Sequence, residues 1–250
     1  MENNKQPIVI LGAMDCECDL LRSKLENAHP VELDGYNALM GEIDGYPVVL
    51  AVCLIGFVNA AVAATLAVKK FNPYCVIVQG TAGAHDQKLR HNDIILGETV
   101  TEMSFCVTSR RQKGEGSDIR KWNFAAAQVY KDGAVTSTKT LNGDKKLIDI
   151  ALSVKYRYGR LKAGNIGSSD CWNREKDRIY MFHETLGTDC EEMEGFAVAQ
   201  VCARYGVPFL DIRVISNNEL DEKASIFNKK TASPCQEYCF DTVKAIIKNI

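Results

Sequence analysis

The chain has 250 residues, 46% of them hydrophobic and 25% charged, with a formal net charge of −2. That is enough apolar material for one large α/β core or two small ones, and the near-neutral balance argues against nucleic acid or an anionic membrane as partner. The chain opens Met-Glu-Asn-Asn-Lys-Gln-Pro, without the basic-then-apolar plan of a signal peptide. No apolar run approaches the roughly 20 residues of a membrane helix, so a cytoplasmic protein is expected.

Ten cysteines are present. Several stand inside apolar runs, as in Val52-Cys53-Leu54 and Tyr74-Cys75-Val76, where a reduced thiol acts as a small hydrophobe. Cys16-Glu17-Cys18 stands alone, without a second pair at zinc spacing. Neither a metal nor a cofactor is expected.

In chain order, Ile8 to Gly12 is a short apolar run stopped by glycine, read as a buried strand. Ala13 to Leu21 is read as a helix with acids in its first turn. Tyr36 to Ile43 and Tyr46 to Leu54 flank Asp44-Gly45, a two-residue hairpin signal. After Ile55-Gly56, the alanine-rich run Val58 to Leu66 is a helix suited to close packing on a sheet. Cys75 to Gly80 is a second buried strand, expected to end at Gly80-Thr81-Ala82-Gly83-Ala84. Asp93 to Gly97 begins another. Residues 106–122 are polar, basic and glycine-containing: either a mobile surface loop or a lid or subunit-contact loop.

Lys145 to Tyr156 is read as a helix, and Leu161 to Ile166 as a strand ending in Gly167-Ser168-Ser169-Asp170-Cys171-Trp172-Asn173. In Cys190 to Ala199, the spacing of Met193, Phe196, Ala197 and Val201 predicts a buried helix, stopped by Gly206 and Pro208, with Glu192 and Glu194 where a strand ends and that helix begins. Val207 to Ile215 is the last buried strand, ending Ser216-Asn217-Asn218. Gln236 to Ile247 closes the chain as a helix. Strands and helices alternate without repeat or linker, which predicts one mixed sheet covered on both faces over residues 1–250.

In such folds a ligand lies beyond the carboxyl ends of the strands. The polar and glycine motifs collect at those ends. Glu192 and Glu194 bracket Met193, an arrangement that can hold hydroxyls on one side and an apolar group on the other; the plain alternative is carboxylates favoured at a helix start. Trp172 is either a stacking face for a flat ring or a core or interface tryptophan. Glu17 is either a base or a solvated acid. Together, a diol clamp, an aromatic face and a lone carboxylate suit a nucleoside.

These residues give the chain a resemblance to the 5′-methylthioadenosine/S-adenosylhomocysteine nucleosidases of the nucleoside phosphorylase superfamily. It is carried, in order, by Gly12-Ala13-Met14-Asp15-Cys16-Glu17, Ile55-Gly56, Gly80-Thr81-Ala82-Gly83, Ser169-Asp170-Cys171-Trp172, Glu192-Met193-Glu194-Gly195 and Arg213-Val214-Ile215-Ser216-Asn217. The resemblance implies an α/β fold, a three-layer αβα sandwich with a mixed central sheet, usually a homodimer. It implies hydrolysis of the N-ribosidic bond of a purine nucleoside without a cofactor. Glu17 matches the glutamate that activates the attacking water, and Glu194 the one gripping the ribose hydroxyls. Met193 would lie against the sugar, with Glu192 nearby. Trp172 falls where an aromatic meets the purine, and Asn173 where the backbone reads the base edge. Met14, Ile55, Thr81, Ala82 and Gly83 match pocket-lining positions.

The chain departs from the pattern at Asn217, which replaces the general-acid aspartate; an amide donates hydrogen bonds but delivers no proton. Asn217 can serve adenine or, with its amide turned over, a 6-oxopurine. Its Ile-Ser-Asn ending resembles enzymes of 6-oxopurine nucleosides such as futalosine hydrolases. Segment 106–122 also replaces a family segment. Phosphorolysis is disfavoured because no arginine adjoins Gly12 or Gly80 in sequence. A weakened nucleoside-binding module is the remaining alternative.

Overall fold

The computed structural model describes residues 5–224 and 226–250. The first half comprises β1 (Ile8–Gly12), α1 (Asp19–Lys24), β2 (Glu26–Pro30), β3 (Ala38–Ile43), β4 (Tyr46–Val52), α2 (Phe57–Phe71), β5 (Cys75–Ala84), β6 (Ile94–Glu102) and the short β7 (Cys106–Val107) and β8 (Asn123–Phe124). The second half has β9 (Ala127–Lys131), β10 (Ala134–Thr138), β11 (Thr140–Asn142), α3 (Lys145–Ser153), β12 (Leu161–Ser168), α4 (Lys176–Leu186), β13 (Cys190–Glu192), α5 (Gly195–Tyr205), β14 (Phe209–Asn217) and α6 (Ala232–Ile247).

Ten strands form one mixed sheet in the order β11-β6-β12-β13-β5-β1-β4-β3-β2, with β14 bonded to both β5 and β6. β1 lies between β4 and β5, parallel to both. Burial on two faces explains its unbroken apolar sequence. Val9 and Leu11 face the core shared with α2 and α5, while Ile8 and Ile10 face the core shared with α3 and α6. In α2, Ala60, Ala63, Ala64 and Ala67 are buried, and their small side chains let the helix pack closely. The expected αβα layering is therefore present.

The sheet also bends back on itself. β5 pairs with β14 in parallel and with β13 antiparallel. β14 pairs with β6 antiparallel, and β6, β12 and β13 run parallel. Five strands thus close a ring, with Ala82, Ile95, Ile166, Cys190 and Ile215 in one cluster.

Several boundaries differ from the sequence expectation. The stretch after β1 is a 3₁₀ turn at Asp15–Glu17 followed by the short α1. The carbonyl of Glu17 accepts from the Gln79 side chain at 2.6 Å and so does not serve a helix ladder. β5 runs on past Gly80, because Thr81 and Ala82 pair with β14 and Gly83 pairs with β13. The Asp44-Gly45 hairpin is as expected, both residues having positive φ (49° and 69°) as a tight two-residue turn requires. Seven of the ten thiols are buried and none is bonded to another. No helix among the described residues is long and apolar enough to cross a membrane.

Candidate active site

The carboxyl ends of β1, β4, β5, β12, β13 and β14 surround a cavity of about 700 Å³, counted to its open mouth. Met14 and Glu17 reach it from the turn after β1, and Ile55 from the loop after β4. Thr81, Ala82 and Gly83 line it from the end of β5. Trp172, half exposed, stands at its edge with Phe227 at 6.0 Å between ring centroids. Glu192, Met193 and Glu194 come from the β13–α5 junction and Asn217 from the end of β14.

Glu17 is buried, and its carboxylate is fully gripped. Oε2 accepts from the N–H groups of Ala13 and Met14 at 3.1 and 3.2 Å. Oε1 accepts from the Thr81 N–H at 2.8 Å and the Thr81 hydroxyl at 2.9 Å. Gly80 permits this approach: a Cβ there would sit 2.7 Å from Oε1. Gln236 braces the same turn from α6, donating to the Cys16 carbonyl at 2.9 Å and accepting from Leu20 N–H at 2.8 Å. A solvated helix-start acid would need none of this.

Glu194 is buried between the Gly56 N–H, 3.1 Å from Oε1, and Arg213, whose Nη1 is 3.2 Å from Oε2. Arg213 is a site residue to which sequence reasoning gave no role. Alternate residues Leu210, Ile212 and Val214 face the α3–α6 core, which turns Asp211 and Arg213 to the opposite face. There the guanidinium meets three carboxylates: Asp211 at 2.7 Å, Glu192 at 2.6 Å and Glu194 at 3.2 Å. The available signal was two charged residues within a strand otherwise apolar enough to be buried. Arg213 also corrects the sequence inference about arginines: in space its Nη1 lies 3.1 Å from a Cβ placed on Gly80.

Three buried carboxylates around one guanidinium carry excess negative charge. Burial pushes the Glu194 carboxyl up to about 8 despite Arg213, with Glu192 and Glu17 adding to the rise. Asp211 is pushed up to about 7, again chiefly by burial. Glu192 has a separate duty: its Oε2 accepts from the N–H groups of Glu194 and Gly195, both at 2.7 Å, satisfying the start of α5.

Asn217 lies between two polar neighbours. Its Oδ1 accepts from the Ser216 hydroxyl at 3.0 Å, and its Nδ2 faces Glu219 Oε1 at 3.4 Å. Glu219 Oε1 is itself paired with Arg174, whose Nε is 3.2 Å away. Asn173 does not line the cavity. Its backbone N–H donates to Glu191 Oε1 at 2.8 Å, and Glu191, a residue the sequence did not single out, is what reaches the wall. Among the described residues of 106–122, none lines this cavity. No group of His, Cys, Asp and Glu among the described residues is arranged to hold a metal ion.

The family model described as Phosphorylase superfamily matches residues 7–248, and the chain belongs to that superfamily. Within it, the chain is 30% identical over 225 residues to a 5′-methylthioadenosine/S-adenosylhomocysteine nucleosidase of Tolumonas auensis, covering 89% of this chain and 90% of the relative. Among solved structures, the nucleosidase of the same name from Neisseria meningitidis, in complex with methylthio-immucillin-A, matches with a TM-score of 0.77 and 28% identity, covering 96% of this chain and 99% of that one. A futalosine hydrolase of Helicobacter pylori shares the fold, with a TM-score of 0.77 at 24% identity, covering 96% and 97%.

Proposed function

We propose that this chain hydrolyses the N-ribosidic bond of a purine nucleoside of the 5′-methylthioadenosine/S-adenosylhomocysteine class. One observation carries this reading: Glu17 and Glu194 open onto one cavity whose arginine is already matched by three carboxylates. Departure of the base leaves positive charge on the sugar, and carboxylates beside it stabilise that transition state. Glu17, aligned by three backbone N–H groups, takes the proton from the attacking water on the lone pair freed when the Thr81 hydroxyl rotates off Oε1. Glu194 accepts from the ribose hydroxyls, with Met193 against the sugar and Trp172 against the purine. Phosphate would meet a net negative wall, and an unpaired anion there is costly. Water is therefore the acceptor.

A 6-oxopurine nucleoside is the second reading, carried by Asn217, whose amide N–H can meet O6 where an ionised aspartate would repel it. The chain acts as a homodimer in this proposal. Leu54, Ile55, Val58 and Val62 are exposed along the start of α2, continuous with the cavity at Ile55. Release of free base from a panel of adenine and hypoxanthine nucleosides tests the activity; sedimentation with and without Val58→Glu tests the dimer.

A further inference from the structure

Asn217 leaves the departing purine without a proton donor, and the neighbouring wall holds a carboxyl that can supply one. Glu191 lines the cavity and is 6% exposed. The point where a Cβ on Gly83 would sit lies 3.3 Å from Asn217 Nδ2 and 3.7 Å from Glu191 Cγ, so the two side chains share one stretch of wall. Behind Glu191 stands His85, 1% exposed, with Nε2 3.2 Å from Glu191 Oε2. His85 Nδ1 lies 2.7 Å from the Thr188 hydroxyl, and its ring stacks on Phe182 with centroids 5.8 Å apart. The Asn173 backbone and amide both donate to Glu191 and hold its carboxyl in place. Burying such a pair is costly where an apolar residue would pack as well. Its position at the cavity wall gives that cost a use.

We propose that Glu191, backed by His85, is the acid that protonates the leaving purine; this rests on the hydrolytic reading above. As the C1′–N9 bond breaks, its electron pair moves into the base, the single proton of the pair crosses from His85 Nε2 to Glu191 Oε2 over the 3.2 Å between them, and the Glu191 carboxyl hands it to N7. The water oxygen bonds to C1′ while Glu17 takes a proton from it. After the products leave, Glu17 releases its proton and the Glu191–His85 pair regains one from solvent. The net change is the addition of water across one bond, and no co-reactant is needed.

Steady-state adenine release from methylthioadenosine by the parent, Glu191→Gln, Glu191→Asp, His85→Gln and the Glu191→Gln/His85→Gln double variant tests this. Glu191→Gln should lower kcat by about 100-fold while KM stays within about threefold, the scale of a lost acid. Glu191→Asp keeps an acid and should recover about tenfold of that loss. His85→Gln should cost about tenfold, and the double variant should be no slower than Glu191→Gln, since the pair acts as a unit. His85→Gln leaves the Asn173 clamp intact and probes the same proton path if Glu191→Gln does not fold. Glu191→Gln turnover within about tenfold of the parent, or equal losses in Gln and Asp, would overturn the proposal. Absence of base release from the parent itself, on methylthioadenosine and inosine alike, would overturn the hydrolytic reading and this one with it.

Discussion

Replacing Asp211 with asparagine should stabilise the chain above neutral pH and change little in acid. Asp211 is wholly buried, and its carboxyl stands at about 7 against an ordinary 3.8. Between those values the native chain keeps a proton that the unfolded chain has released. Stability therefore falls as pH rises through the window from about 4 to about 7, and levels off above it. At ~1.36 kcal/mol for each pH unit, a rise of roughly three corresponds to about 4 kcal/mol. Asparagine removes that cost and keeps the acceptor: its Oδ1 can take over the 2.7 Å hydrogen bond from Arg213 Nε. Its nitrogen falls where Oδ2 stood, against Gly195 and close to Glu192 Oε1, neither oxygen having a hydrogen-bond partner among the described residues. Burying the amide returns about 1–2 kcal/mol of the gain. The expected net is about 2 kcal/mol near pH 8.5 and close to zero near pH 5. Urea unfolding of parent and variant at both pH values measures it. A variant no more stable than the parent at the higher pH would refute the reasoning.

Glu17→Gln should keep substrate binding and lower turnover about 100-fold or more, as measured by equilibrium binding and initial rates. Near-normal turnover would mean that the gripped carboxylate is not the base. Asn217→Asp should raise turnover of adenine nucleosides and lower that of any 6-oxopurine nucleoside, because a carboxyl can deliver a proton to N7 and, when ionised, repels O6. An unchanged ratio of adenine to hypoxanthine release would place position 217 away from the base. Glu194, pushed up to about 8, regains its charge as pH rises. The rate at low substrate should therefore climb between about pH 6 and about pH 8, and a flat profile there contradicts its role.

Most strands that form the site were legible because each is an apolar run closed by glycine or polar residues: Ile8 to Gly12, Cys75 to Gly80, and Val207 to Ile215 before Ser216-Asn217. The hairpin at Asp44-Gly45 was legible because its residues tolerate positive φ. The equivalent Asp132-Gly133 turn between β9 and β10 carries the same signal and was overlooked, since the flanking strands are mostly exposed and lack an apolar face. α4 went unread because its buried residues, Ile179, Met181 and Phe182, make only a short stripe. Ring closure through the three-residue β13 depends on register with distant strands, which no local pattern encodes. The same holds for Arg213 and its carboxylates, and for Gln79, Gln236 and Glu191. Their roles arise from elements far apart in the chain.

The central claim is that this cavity uses water to cut a nucleoside. The most direct test follows methylthioadenosine with and without phosphate, identifying both the base and the sugar product. Adenine and free methylthioribose appearing at the same rate in both reactions is the predicted result. A phosphate-dependent rate, with the sugar recovered as its 1-phosphate, would contradict it.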